Sequence, residues 1–291
     1  MPSLKEIRNR ITSVGSTMQI TSAMKMVSAA KLKRAQDAIT QMRPYAEKLQ
    51  EILGNLSATL DLSENAYSES REVKNVLIIG ITSNRGLCGG FNNNIIKRVN
   101  QLVNEEYSSA NPRVLCLGKK MKDAYKRSEA YYITDELAPL EDIFAQLSFE
   151  NVSAIANDLM IRFTNKEFDK VIVVYNQFVN AATQIIRTEQ FLPIVPAAQD
   201  DSKAAGDYIF EPSKSEIVED LIPKSLKIQL FKGILDSHAA EHGARMTAMH
   251  KATDNAKELQ KSLKLSYNKA RQAAITNEIL EIVGGAEALN A

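Results

Sequence analysis

The sequence predicts an α/β protein in which two long terminal helices wind antiparallel as a coiled coil and an α/β domain is inserted between them. Three observations predict it. Apolar residues recur in alternating steps of three and four at both ends of the chain, and short runs of β-branched residues fill only the middle. Aromatic residues make up only 6% of the 291 residues, with no Trp, which is thin for a large globular core and suits helix-on-helix contacts.

The first element spans about residues 3–60. Ser3 can cap it, with Glu6 three positions on as the partner of a capping box. One apolar series is Leu4, Ile7, Ile11, Val14, Met18, and a second is Met42, Tyr45, Leu49, Ile52, Leu56. Between them the side chains are small or polar (Ser22, Ala23, Ser28, Ala29, Ala30, Ala35, Ala38), and the 24 positions from Met18 to Met42 are not a whole number of heptads, so a change of superhelical pitch is expected there. Pro44 is expected to bend the helix by removing a donor and crowding the preceding turn.

After a polar stretch from Asp61 to Lys74 the pattern changes. Val73–Thr82, Arg113–Leu117 and Lys170–Tyr175 are short runs with little alternation, the mark of strands buried on both faces. Amphipathic segments at Asn92–Tyr107, Lys119–Arg127 and Phe149–Thr164 separate them, which gives the alternation of a Rossmann-like α/β sheet. Thr183–Leu192 alternates and reads as an added edge strand ending before Pro193, and Gln199–Gly206 reads as a surface loop. From about Ser213 a helix runs almost to the end, with a kink expected at Pro223 and a seam at Met249, Ala252, Ala256, Leu259, Leu263, Ser266, Ala270, Ala273, Asn277 and Leu280. Helices of roughly 55 and 65 residues reach about 80–100 Å at 1.5 Å per residue, longer than any globular core. The expected domains are therefore 1–60 (helix), 73–196 (α/β domain) and 210–288 (helix).

Composition excludes several classes. Lys plus Arg number 36 against 35 acids, for a net charge of +1, so no global field draws nucleic acid or an acidic membrane. Two cysteines, Cys88 and Cys116, are too few for a disulfide framework or a zinc site and read as free thiols in a reducing compartment. The charged start predicts neither a secretory signal nor a transit peptide, and no run reaches the ~18 apolar residues of a membrane span. Both helical ends are nonetheless basic: nine bases against four acids over 1–57, and seven against two over 243–277. That reads either as an ordinary solvated face or as a shaft facing acidic protein loops.

Three motifs bear on chemistry. The Gly-rich turn from Ile81 to Asn92 leaves a buried strand and enters a helix, the placement of a phosphate cradle; but Cys88 stands where G-x-G-x-x-G needs its middle glycine and no G-K-[ST] follows, so a structural or partner-contacting turn is the stronger reading. His238-Ala-Ala-Glu241-His242 fits H-x-x-E-H, yet no third ligand is evident, and solvated helix-face histidines are expected, with His250 alike. No Ser-His-Asp or Cys-His set assembles, so neither a catalytic site nor a cofactor is expected. A nucleotide-binding enzyme using the 85–91 turn and a generic helical scaffold remain the other two classes.

Three blocks carry a family resemblance: Leu4–Ile11 with Ile20–Val27 and Ala30–Gln36; the turn Ile81–Asn92; and Tyr267–Glu278 through Gly285–Leu289, where Ile275, Thr276, Glu278, Glu281, Gly285 and Ala286 meet the pattern I-T-x-E-x-x-[DE]-x-x-x-G-A. In that order they resemble the gamma subunit of F-type ATP synthase over the whole chain. The resemblance implies a central rotor shaft on the axis of a ring of alpha and beta subunits, coupling ion-driven c-ring rotation to ATP synthesis, with catalysis in the beta subunits. Its implied partners are alpha, beta, epsilon and the c-ring, and its implied place is peripheral on the cytoplasmic face of the bacterial inner membrane, with no membrane span of its own. It implies partner contacts at Arg271, Gln272, Thr276 and Glu278 on the upper shaft, at Met24 and Arg245 in positions linked with coupling, and at Arg85 and Cys88 on the turn. The sequence departs from the family pattern at Gly15, Gln19 and Asn84, where Lys, Lys and Asp are usual, and it lacks the plant-type regulatory cysteine pair.

Overall fold

A computed structural model of the chain describes residues 3–57, 66–133, 140, 142–145, 147–194 and 214–290. In chain order the elements are α1 (Leu4–Ser57), β1 (Asn75–Ile81), α2 (Phe91–Gln101) extended by a π-helical turn (Leu102–Glu106), β2 (Asn111–Leu117), α3 (Lys119–Tyr125), β3 (Tyr131–Tyr132), a 3-10 turn (Asp142–Phe144), α4 (Phe149–Thr164), β4 (Lys170–Phe178), β5 (Gln184–Leu192) and α5 (Lys214–Asn290). The expected loop at Gln199–Gly206 and the first part of the polar stretch after α1 lie outside the described residues.

The strands form one sheet in the order β3-β2-β1-β4-β5, parallel except for the antiparallel edge strand β5. Because β1 is flanked by β2 on one side and β4 on the other, the strand order reverses beside β1, and the crevice at its carboxyl end is the switch point of the sheet. Residues of β1 alternate between the two faces. Leu77, Ile79 and Ile81 pack with Val152, Ile155, Leu159 and Phe163 of α4 and with Ile222, Leu226, Leu230 and Ile234 of α5. Val76 and Ile78 pack with Ile95 and Val99 of α2 and Met121 of α3. Burial on both faces explains the unbroken apolar runs. Gly80 leaves the room that Met121 fills, since a Cβ there would lie 2.5 Å from its methyl carbon.

By internal contacts the chain divides into two compact units, Met1–Ser28 with Met246–Ala291, and Ala29–Arg245. The first is an antiparallel helix pair, as its cross-contacts show: Arg8 with Tyr267, Gly15 with Gln260, Thr21 with Thr253, and Lys25 with His250. Position rises on one helix as it falls on the other. The second unit contains the sheet and its covering helices, and the α5 segment within it is buried on several faces, from Gly233 to Leu235 and from Ala239 to Gly243 without a break.

Several details correct the sequence reading. Along α1 one enclosed series, 4, 7, 11, 14, 18, 21, 25, 28, 32, 35, 39, 42, 46 and 49, alternates three and four throughout, with 15, 22, 24, 29, 36, 38 and 52 half-buried beside it, so the stripe runs on through the stretch where a pitch change was expected and widens there. Met18 and Met42 are related by whole heptads plus three, which keeps both on one stripe. Tyr45 falls off it and is exposed. On α5 the enclosed face runs through Met249, Thr253, Ala256, Gln260, Leu263, Tyr267 and Ala270, so Leu259 and Ser266 are replaced by the residues that follow them. The three-and-four spacing alone did not settle the face because this seam uses polar groups: Tyr267 accepts a 2.7 Å hydrogen bond from Arg8, and Gln260 lies over Gly15. α1 runs through Pro44 and α5 through Pro223 without a break in helix. Among the described residues no helix is long and apolar enough to cross a membrane.

Candidate partner-contact site at the Gly-rich turn

The turn that leaves β1 is held from four sides. Thr82 donates its amide to Leu117 and accepts from the Met121 amide through Oγ1, which ties the turn to β2 and α3. The Ser83 amide donates to Oδ1 of Asn92 at 2.9 Å, the Ser83 hydroxyl donates to the Arg85 carbonyl at 2.6 Å, and it accepts from Nδ2 of Asn92. The Lys119 amide donates to Oδ1 of Asn84. From α5, Arg245 donates through Nη2 to the carbonyls of Arg85 (3.1 Å) and Gly86 (3.3 Å).

The turn offers two carbonyls to a guanidinium, and one of its amides is already bonded to Asn92. At its tip Leu87 is 65% exposed and has φ +62°, a left-handed conformation that a non-glycine residue adopts at a cost of about 1 kcal/mol or more. An apolar side chain is thus held out on strained backbone, and sequence reasoning missed it because nothing in one Leu signals a positive φ.

Below the turn lies a buried polar cluster on α5. Arg245 and Glu241 are paired at 2.6 Å, Nη1 of Arg245 is 3.5 Å from Nδ1 of His242, and the Nε2 atoms of His242 and His238 are 3.2 Å apart. Phe144 stacks on His238. The expectation of solvated histidines is therefore corrected: His242 is buried and His238 half-buried, because this part of α5 is a covered layer and not an outer helix face. Burial pushes His238 down to about 4 and His242 down to about 3, helped by the positive charges of Lys31 and Arg245 and, for His242, by His238. Burial pushes the Glu241 carboxyl up, and Arg245, Lys31 and Arg85 oppose it. His250 is exposed, as expected.

The expected contact residues divide into two groups. Arg85, Arg271, Gln272, Thr276 and Glu278 are exposed, and Met24 is half-buried. Cys88 and Arg245 are buried, Cys88 at 1% exposure beneath the turn with Ala240 and Phe91, so neither offers its side chain to a partner; both act on the shape of the turn. Arg85, Cys88 and Arg245 belong to one compact unit, and Met24, Arg271, Gln272, Thr276 and Glu278 to the other.

The sequence profile described as ATP synthase matches residues 3–289. The ATP synthase gamma chain of Flavobacterium johnsoniae is 64% identical over 291 residues, covering all of both chains, and that of Christiangramia forsetii is 62% identical over the same span. The chain belongs to the ATP synthase gamma chain family. Its fold is also that of a chain from the Euglena gracilis mitochondrial ATP synthase OSCP/F1/c-ring structure, with a TM-score of 0.64 at 20% identity over 98% of this chain and 94% of that one. The three departures from the family pattern sit in different surroundings. A Cβ at Gly15 would lie 3.0 Å from Nε2 of Gln260, Asn84 accepts from the Lys119 amide, and Gln19 is exposed.

Proposed function

We propose that this gamma chain family member is the central rotor shaft of an F-type ATP synthase. It turns with an ion-driven c-ring and passes its angle to the catalytic sites of the beta subunits. The observation that carries this reading is the full-length likeness to gamma chains together with helices of 54 and 77 residues that run unbroken. An asymmetric pair of helices inside a ring of otherwise equivalent sites favours a different conformation at each through differential contacts. The basic character of both helices gives long-range attraction to acidic loops without fixing one register.

In this reading the partners are the alpha and beta subunits, epsilon and the c-ring. Arg271, Gln272, Thr276 and Glu278 touch beta-subunit loops, Met24 lies where coupling is set, and Arg85 with Leu87 faces the beta subunit's moving lever. Cys88 and Arg245 position that turn. The protein is peripheral on the cytoplasmic face of the bacterial inner membrane. It is a non-catalytic subunit needing no cofactor of its own; the departure of the turn from G-x-G-x-x-G, with Cys88 in the middle glycine's place, supports this. Co-expression with alpha and beta chains tests it: the three co-purify and hydrolyse ATP together, and hydrolysis by the purified chain alone contradicts the reading.

A further inference from the structure

We propose that Glu241, His242 and His238 are positioning residues that, through Arg245, hold the 85–87 tip in the conformation that meets the partner. The functional half rests on the rotor reading; the structural half does not. Arg245 is the only link on α5 hydrogen-bonded to the carbonyls of Arg85 and Gly86 among the described residues, and those carbonyls immediately precede the strained Leu87. A buried guanidinium with several rotamers holds one position only if its other donors are satisfied. Glu241 takes Nη1 at 2.6 Å, one turn earlier on the same helix, and His242 stands beside the same nitrogen at 3.5 Å.

The geometry also sets the proton positions of the histidines. A guanidinium only donates, so Nδ1 of His242 must face it with a lone pair. His242 therefore carries its proton on Nε2. That nitrogen is 3.2 Å from Nε2 of His238, which must accept, leaving the His238 proton on Nδ1. The hydrogen bonds run one way, from Arg245 to His242 to His238, and the edge-on ring pair with Phe144 stacked on His238 fixes the far end. Reversing either ring points N–H at a cation or N–H at N–H.

Nitrogen-15 NMR of the full chain at neutral pH should show His242 protonated at Nε2 and His238 at Nδ1; the opposite tautomers overturn the proposal. This measurement uses the unmodified protein, so it decides even where a variant fails to fold. Hydrogen exchange should show the 83–90 amides opening at least about tenfold faster in Glu241→Ala and His242→Leu, with the amides of β1 and β2 unchanged. His242→Asn, whose side-chain oxygen takes the place of Nδ1, should restore protection. Unchanged exchange in His242→Leu, or no rescue by Asn, overturns the positioning role. In the assembled complex His242→Leu should lower ion pumping for each ATP hydrolysed while His242→Asn does not; a loosened turn with full pumping overturns the functional half. Failure to co-purify with alpha and beta even as the unmodified chain would instead overturn the rotor reading, leaving the exchange result to stand.

Discussion

The hydroxyls of Thr21 and Thr253 lie 2.8 Å apart in the part-buried seam of the terminal helix pair, joining positions 232 residues apart in sequence. Thr253 also reaches the Met249 carbonyl at 2.8 Å and Thr21 the Met18 carbonyl at 3.1 Å. Each hydroxyl has one proton. One hydroxyl donates across the seam while the other donates to its own helix, which fixes register at a point where apolar residues would tolerate sliding.

The Thr pair predicts a measurable coupling. Thr21→Val and Thr253→Val should each destabilise the chain by about 1 kcal/mol, and the double variant should cost less than the two together, because the second change removes a bond already broken. A double-mutant cycle by denaturant unfolding checks this. Strict additivity would show that the two hydroxyls do not interact in solution.

The shifted α5 seam predicts a contrast between neighbours. Leu263→Asp places a charge on the enclosed face and should cost about 1–3 kcal/mol, whereas Leu259→Asp, at a site 51% exposed, should stay within about 0.5 kcal/mol. Thermal melts of the two variants check it. Equal losses would return Leu259 to the seam.

Two glycines that look alike in sequence should behave differently. Gly118 has φ +104°, and a Cβ there would lie 2.1 Å from the Thr82 carbonyl oxygen, so Gly118→Ala should cost about 3 kcal/mol or more. Gly86 has nothing within 4 Å of its virtual Cβ, and Gly86→Ala should leave the melting temperature nearly unchanged. The comparison needs only soluble protein and a calorimeter.

Buried ionisable groups give opposing pH dependences. Burial raises the Asp236 carboxyl to about 6 from an ordinary 3.8, with Glu189 adding to the rise and Lys232 and Arg43 opposing it. The folded state then binds that proton more tightly than the unfolded state, so this group destabilises above pH 6, and the penalty fades as pH falls from 6 towards 4. His238 and His242 act the other way. Their folded values lie below 6.5, the unfolded chain takes up protons first, and stability falls as pH drops from 6.5 towards 4. Asp236→Asn should therefore steepen the loss of stability on acidification over pH 6 to 4, and His242→Leu should flatten it. Unfolding curves across that window check both signs.

Much of the fold was legible because period and composition change sharply along the chain. α4 falls on the expected residues, and β5 is the edge strand that its alternation suggested. β3 was not legible, since two tyrosines carry no period, and the π-helical turn after α2 looks like continued helix in sequence. The contact site was half legible. The Gly-rich spacing marked the turn, but the burial of Cys88 and Arg245 comes from α5 passing beneath it, a long-range fact that no local pattern encodes. The pattern His238-Ala-Ala-Glu241-His242 was read as a solvated helix face; its burial as a polar cluster depends on Arg245, one turn after Glu241, and on the layer that covers this part of α5.

Rotation tests the central claim most directly. Cys88 and Cys116 are buried, so a cysteine placed at exposed Glu129 can be labelled alone and attached to a bead, with alpha and beta subunits fixed to a surface. The account predicts steady one-way rotation of the bead on addition of ATP. Hydrolysis by the assembled complex with the bead stationary would contradict it.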